Sequence, residues 1–145
     1  MIREHGEEYR IAPRTLVLPD DYKRLQQERE DAEKNKLWIL KPANSACGRG
    51  IRIIGKTGSV PKKGQYVVCD YISKPHLING YKYDLRLYVL ITSYEPLCIY
   101  LYHEGLVRFA TAKYNTKNTK VRFAHLTNFS VNKKSDAYKA NDSKQ

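Results

Sequence analysis

The chain has 145 residues, 41% of them hydrophobic and 28% charged, and its 26 Lys and Arg against 15 Asp and Glu give a net charge of +11. That length predicts one compact domain or a piece of a larger one; no apolar run approaches the roughly 18 residues of a membrane span, and no signal-peptide pattern opens the chain. Three scattered cysteines without a C-x-x-C argue against a disulfide scaffold or a Cys-based zinc site, and 12 tyrosines with strong Leu/Ile/Val blocks argue against disorder, so a soluble, intracellular, basic protein is expected.

Residues 1–19 read as an extended lead-in punctuated by Pro13 and Pro19. Asp20 to Lys36 reads as a helix, with acids in its first turn, no internal Gly or Pro, and so few apolar positions (Tyr22, Leu25, Ala32) that most of it is expected to face water. From Leu37 the pattern turns to strands: Trp38-Ile39-Leu40, then a loop from Pro42 to Gly50, then Ile51–Ile54, then Val67–Ile72. Beyond these, Tyr83, Leu85, Leu87, Val89 and Ile91 alternate with Lys82, Asp84 and Arg86, which predicts a strand with one core face and one Lys-Asp-Arg face. Turns at Ser93–Pro96 and His103–Gly105 then predict an antiparallel meander of three strands, ending with Leu106–Ala112. The tail from Asn115 is polar and basic, with one ordered patch at His125–Ser130. The class expected is α+β with a mainly antiparallel sheet, divided into a lead-in and charged helix over 1–36 and a second part over 37–145.

Charge is divided unevenly along this order. Residues 1–36 carry eight Lys and Arg against nine acids, whereas residues 37–145 carry eighteen against six, a local +12. Such a block predicts an anionic partner, whether nucleic acid, phosphate or an acidic polypeptide, or else a merely solvated basic surface. In the loop Lys41–Gly50, small residues and two glycines let backbone N–H groups approach an anion, although neither a Walker A nor a dinucleotide pattern is present. An ordinary wide hairpin loop reads the same way. Lys82, Asp84 and Arg86 suit a phosphate with its metal, or a solvent-facing ladder of salt bridges. Arg108, with Leu106 and small Ala110 on its face, suits a carboxylate ligand or a snorkelling surface side chain. His125-Leu126-Thr127-Asn128 offers a hydroxyl beside an amide, or simply a turn or helix cap. The histidines show no metal spacing, no nucleophile triad is present, and the sequons at Asn128 and Asn141 are set aside without a secretory signal.

Together these segments resemble the tubulin tyrosine ligase-like family, ATP-grasp ligases that join amino acids to tubulin. The resemblance rests on Trp38-Ile39-Leu40-Lys41-Pro42, Gly48-Arg49-Gly50-Ile51, Lys82-Tyr83-Asp84-Leu85-Arg86, Gly105–Ala110 and His125–Lys134, with Pro13-Arg14-Thr15 and Leu18-Pro19 also similar. Thr92–Leu97 and Val131–Lys134 look more like the polyglutamylase branch than the tyrosine ligase itself. The resemblance implies an ATP-grasp-like fold and a ligase that adds glutamate to glutamate side chains of tubulin tails through an acyl phosphate. It implies that Lys41, Lys82 and Tyr83 belong to the ATP site, with Gly48, Arg49 and Gly50 in the loop above. Cys69, Asp70, Tyr71 and Ile72 would touch adenine through the backbone, and Thr127 and Asn128 would face the nucleotide. Asp84 and Arg86 would act at the γ-phosphate and acyl group as the catalytic pair, while Arg108 with Ser130 would hold free L-glutamate. Partners implied are the acidic C-terminal tails of tubulin, in the cytoplasm on microtubules, those of cilia included, for a monomer that binds neither membrane nor nucleic acid.

The sequence also departs from the family. The later Asp and Glu-x-Asn carboxylates that bind magnesium have no counterpart, Cys47 replaces a long polar residue, and Cys69-Asp70 replaces a glutamine-containing pair. The expectation is an amino-terminal part of the catalytic domain, with no metal ligands of its own and inactive alone. Three alternatives stand beside it: a non-catalytic basic module that binds acidic tails, a glycine or tyrosine ligase of the same family, and a nucleic-acid binder, which the basic charge and tyrosines fit although no recognised nucleic-acid motif is present.

Overall fold

The computed structural model describes residues 2–138, with only the backbone of Ile2 and Arg3; the Asn141 sequon, Asp142 and the end of the 37–145 part lie outside the described residues. Mainly antiparallel strands with a few short helices bear out the α+β expectation. Two units are formed, one from residues 1–75 with 116–120 and the other from 76–115 with 121–145. The division expected at 36/37 falls inside the first unit, because side chains from both sides of it fill one core.

The first unit holds α1 (Ile2–His5), β1 (Thr15–Leu18), α2 (Tyr22–Asp31), β2 (Trp38–Pro42), β3 (Arg52–Ile54) and β4 (Tyr66–Asp70). Its sheet is antiparallel in the order β1-β4-β2-β3. Alternation along β1 and β2 buries Leu16, Leu18, Trp38 and Leu40, which pack with Leu25 of α2, Ile54 and Val68. Each such side chain contributes about 1.5–3 kcal/mol by leaving water. The helix is shorter than expected at both ends. Asp21 precedes it and accepts the Val17 N–H at 2.8 Å, tying its start to β1, and Ala32 takes an extended backbone that stops it. Most of it faces water as expected, with apolar Leu25 buried; the exception is Arg29, which is buried as well. Arg29 donates to the carbonyls of Gly55 and Lys56, at 3.1 and 2.6 Å, and to that of Gly58. Burial lowers its pKa against an opposing contribution from Tyr22; the carbonyl fan replaces the water lost by one terminal nitrogen, while the buried Nε has no hydrogen-bond partner. Lys56 in turn donates to the carbonyls of Glu30 and Ala32, at 2.7 and 3.0 Å, satisfying acceptors left open at the helix end.

The second unit contains β5 (Leu77–Ile78), β6 (Tyr81–Tyr94), β7 (Leu97–Phe109), α3 (Arg122–His125) and α4 (Phe129–Asn132), with strand order β5-β6-β7. Two expectations fail here. The three-strand meander is a two-strand ribbon: β7 runs straight through His103-Glu104-Gly105, which is no turn. Gly105 instead pairs with Leu87, and a Cβ there would stand 2.8 Å from the backbone oxygen of Arg86. A missing side chain thus permits a close strand approach beside the register shift between Leu87 and Val89. We expect Gly105→Ala to cost about 1–3 kcal/mol by overpacking, read as a lower urea midpoint for the second unit; an unchanged midpoint contradicts this packing. The expected core face of β6 is also corrected, since Leu85, Leu87, Val89 and Ile91 are 44–60% exposed. Beyond the short β5, β6 and β7 pair without a third strand, and among the described residues these side chains stay exposed.

Candidate functional site

In the first unit, antiparallel pairing sets Ile39 opposite Cys69 and Lys41 opposite Val67. Lys41 is half-buried and its ammonium lies 3.8 Å from the Cys69 sulfur, which Thr15 Oγ1 also approaches, at 3.4 Å. The loop from Pro42 to Gly50 joins β2 to β3 and folds on itself through Arg49 N–H to Ala46 O and Ser45 Oγ to Arg49 O, both 3.1 Å. Left-handed backbone at Cys47, Gly48 and Gly50 (φ 59°, 75° and 69°) shapes its return. A Cβ on Gly50 would stand 2.7 Å from Pro42 Cγ, so this glycine closes the loop's base. Gly48 is buried, whereas Arg49 is exposed. Cys69 and Asp70 end β4, Tyr71 is buried and Ile72 exposed as the chain proceeds to the second unit. Asp70 is held by Arg14 at 3.4 Å and Lys36 at 3.2 Å.

In the second unit, pairing places Asp84 opposite Arg108 and Arg86 opposite Leu106, while Ala110 N–H donates to Lys82 O at 2.8 Å. One face of the ribbon's base therefore carries Lys82, Asp84 and Arg86 on one strand and Arg108 on the next. Arg108 grips Asp84 with both arms of its fork: Nε donates at 2.8 Å to one carboxylate oxygen, and a terminal nitrogen donates to the other. Thr127 Oγ1 donates to that second oxygen at 3.1 Å. The Arg108 hydrogen bond is the main cause that holds the Asp84 carboxyl below its usual pKa, against burial and with help from Thr127 and the Arg108 and Arg86 charges. Asp84 raises the pKa of Arg108 reciprocally. Lys82 donates to the carbonyl of buried His125 at 3.1 Å, whose ring meets Tyr114 edge-on. Tyr83 is half-buried against Phe109, and its hydroxyl shares a hydrogen bond with His76 Nδ1, 2.9 Å away. Arg86 is exposed, and Asn128 and Ser130 are half-buried at the start of α4.

Beside this cluster lies a cavity of about 570 Å³ whose walls include Arg108, Thr111, Thr127, Phe129 and Asn132. The structure thus brings Asp84, Arg108 and Thr127 together, and separately Lys41 and Cys69. Sequence reasoning missed the Asp84–Arg108 pair because it follows from strand register, and missed buried Asn132 because one asparagine in a polar tail carries no periodic signal. No group of three or more His, Cys, Asp or Glu is placed to hold a metal ion among the described residues. With Asp84 taken by Arg108 and Thr127, those residues do not by themselves fit a magnesium site. Among them no helix is long and apolar enough to cross a membrane.

Against known proteins, residues 1–145 match the tubulin-tyrosine ligase family. The chain is 43% identical to tubulin polyglutamylase TTLL7 of Mus musculus, over 98% of this chain and 16% of the relative. It is 47% identical to tubulin monoglutamylase TTLL4 of Homo sapiens, over 93% of this chain and 11% of the relative. It is 44% identical to tubulin polyglutamylase TTLL5 of Mus musculus, over 95% and 10% respectively. The chain therefore spans about a sixth or less of the length of these three relatives.

Proposed function

Because this chain belongs to the tubulin-tyrosine ligase family, we propose that it supplies part of an ATP-grasp site that ligates glutamate to glutamate side chains of tubulin tails. The observation that carries the proposal is the charged face at the ribbon's base, where Lys82, Asp84, Arg86 and Arg108 gather beside a cavity. The names of the glutamylase relatives support glutamate as the amino acid and tubulin as the acceptor.

In the proposed reaction, a γ-carboxylate oxygen of the tail attacks the γ-phosphorus of ATP, the bond to ADP breaks, and an acyl phosphate forms. The amine of free glutamate then attacks the acyl carbon, a C–N bond forms, phosphate leaves and the amine gives up a proton. Charge neutralisation and positioning are the protein's contribution. Lys41 and Lys82 are assigned to nucleotide phosphates; a sulfur at 3.8 Å is a weak partner for Lys41, so its ammonium suits phosphate oxygens. Gly48, Arg49 and Gly50 supply the loop, Cys69 to Ile72 and Tyr83 the nucleotide contacts, and Thr127 and Asn128 a hydroxyl and an amide. Asp84 and Arg86 act at the transferring group, and Arg108 with Ser130 at the glutamate carboxylate. Magnesium would supply charge neutralisation at the phosphates, and no step here is assigned to it. The +12 block supports attraction of acidic tails and, with it, a location on microtubules.

Binding of ATP, a glutamate-rich tail peptide and RNA, measured side by side on the purified chain, tests this proposal. ATP affinity is expected to fall about tenfold or more in Lys82→Ala, which removes a charged hydrogen-bond donor, and to hold in Lys120→Ala. Peptide binding should weaken steeply with salt, since exposed charges are screened beyond about 8 Å at physiological ionic strength. RNA binding without ATP binding, or equal losses at Lys82 and Lys120, overturns the proposal.

A further inference from the structure

We infer that Asn132 is a positioning residue, which fixes the 126–128 turn so that Thr127 delivers its hydroxyl to Asp84. Asn132 is only 3% exposed, in the last turn of α4. Its Oδ1 accepts two hydrogen bonds from Thr111, backbone N–H and Oγ1, each at 2.9 Å. Its Nδ2 donates to the carbonyls of Leu126 at 2.7 Å and Asn128 at 3.1 Å. All four hydrogen-bonding positions of the amide are used, which only asparagine among side chains of this size provides.

The two sides of this amide join different pieces of chain. Thr111 leaves the end of β7 three residues after Arg108, and Leu126 and Asn128 flank Thr127. One rigid group therefore ties the strand that carries Arg108 to the turn that carries Thr127. Those are the two residues that hydrogen-bond Asp84. The carboxylate is gripped from two directions, and Asn132 sets their spacing without touching it. Low local dielectric makes such a fully satisfied network stiff, and makes removal of one member costly to its neighbours. The importance of this cluster for nucleotide use rests on the proposed function, but the geometry does not.

The test reads Asp84 directly in the nucleotide-free chain, by its side-chain carboxyl-carbon resonance and acid midpoint in NMR. Thr127→Val removes the donor and is expected to raise the midpoint. Asn132→Ala should raise it in the same direction, and the double variant should go no further than Thr127→Val alone. Asn132→Asp keeps the acceptor for Thr111 but sets oxygen against the Leu126 and Asn128 carbonyls; it should reproduce the shift if Asn132→Ala does not fold. An unmoved Asp84 signal in a folded Asn132 variant, or shifts that add in the double variant, overturns the inference. ATP affinity in the same variants is a separate readout: loss of the contact at Thr127 predicts a fall of roughly tenfold. A moved Asp84 signal with unchanged ATP affinity supports the positioning role and counts against the nucleotide assignment.

Discussion

Trp38→Ala is expected to destabilise the first unit by about 3–5 kcal/mol, the usual cost of emptying a large aromatic from a packed core. Trp38 is 1% exposed and sits in β2 among Leu16, Leu18, Leu25, Leu40, Ile54 and Val68. Small domains have only about 5–15 kcal/mol in total, so this one change should leave a large unfolded fraction in mild urea. Lys41 lies in β2 and the loop that ends at Gly50 leaves it, so both should lose their placement with the strand. Because Trp38 is the single tryptophan, the unfolding is best followed by circular dichroism. Leu97→Ala is the matched comparison. That leucine is 61% exposed on the ribbon, and its loss should change stability by no more than about 0.5 kcal/mol. Similar costs at the two positions would contradict the assignment of the core.

The second large effect is expected on function. Asp84→Asn keeps the shape of the side chain and removes the charge that holds the Arg108 fork. In an active ligase carrying this sequence, glutamate incorporation should fall about a hundredfold or more, as when one element of a preorganised charge cluster is lost. Stability should change far less. The side chains of Asp84 and Arg108 are 35% and 27% exposed, so solvent screening leaves the pair about 1 kcal/mol or less. The pH dependence follows from the direction of the shift. The native carboxyl is held below its unfolded value, chiefly by the Arg108 hydrogen bond. Its stabilisation is therefore complete above the unfolded pKa of about 3.9 and is lost as pH falls through the native value. Acid titration of unfolding should show a component below about pH 4 that Asp84→Asn removes. A component that survives the substitution must come from another carboxylate.

Much of the first unit is legible in the sequence because its signals are local. Trp38-Ile39-Leu40 and Val67–Asp70 alternate as half-buried strands, and the Pro42–Gly50 loop is marked by its turn residues. The second unit is less legible for three physical reasons. Glycine in a strand and glycine in a turn look alike, so Gly105 reads as a turn until its neighbour Arg86 is known. Alternation predicts which side chains share a face, but not whether another layer covers them, and Leu85 to Ile91 are exposed. Register joins residues distant in sequence: the shared face of Lys82, Asp84 and Arg86 is visible in the chain, but the position of Arg108 opposite Asp84 is not. Asn79-Gly80, both at positive φ between β5 and β6, is a two-residue hairpin signal that is legible in the sequence itself. Arg29 lies at the opposite extreme. Nothing in a charged helix announces that one arginine turns inward to collect three carbonyls.

Amine-reactive footprinting of the purified chain with and without ATP tests most directly whether this sequence holds a nucleotide through its lysines. Each lysine is modified in proportion to its access, and mass spectrometry reads every site in one sample. ATP is expected to protect Lys41 and Lys82 and to leave Lys62, Lys63 and Lys120 unchanged. Protection of those three with Lys41 and Lys82 unaffected would contradict a family-type nucleotide site in this chain.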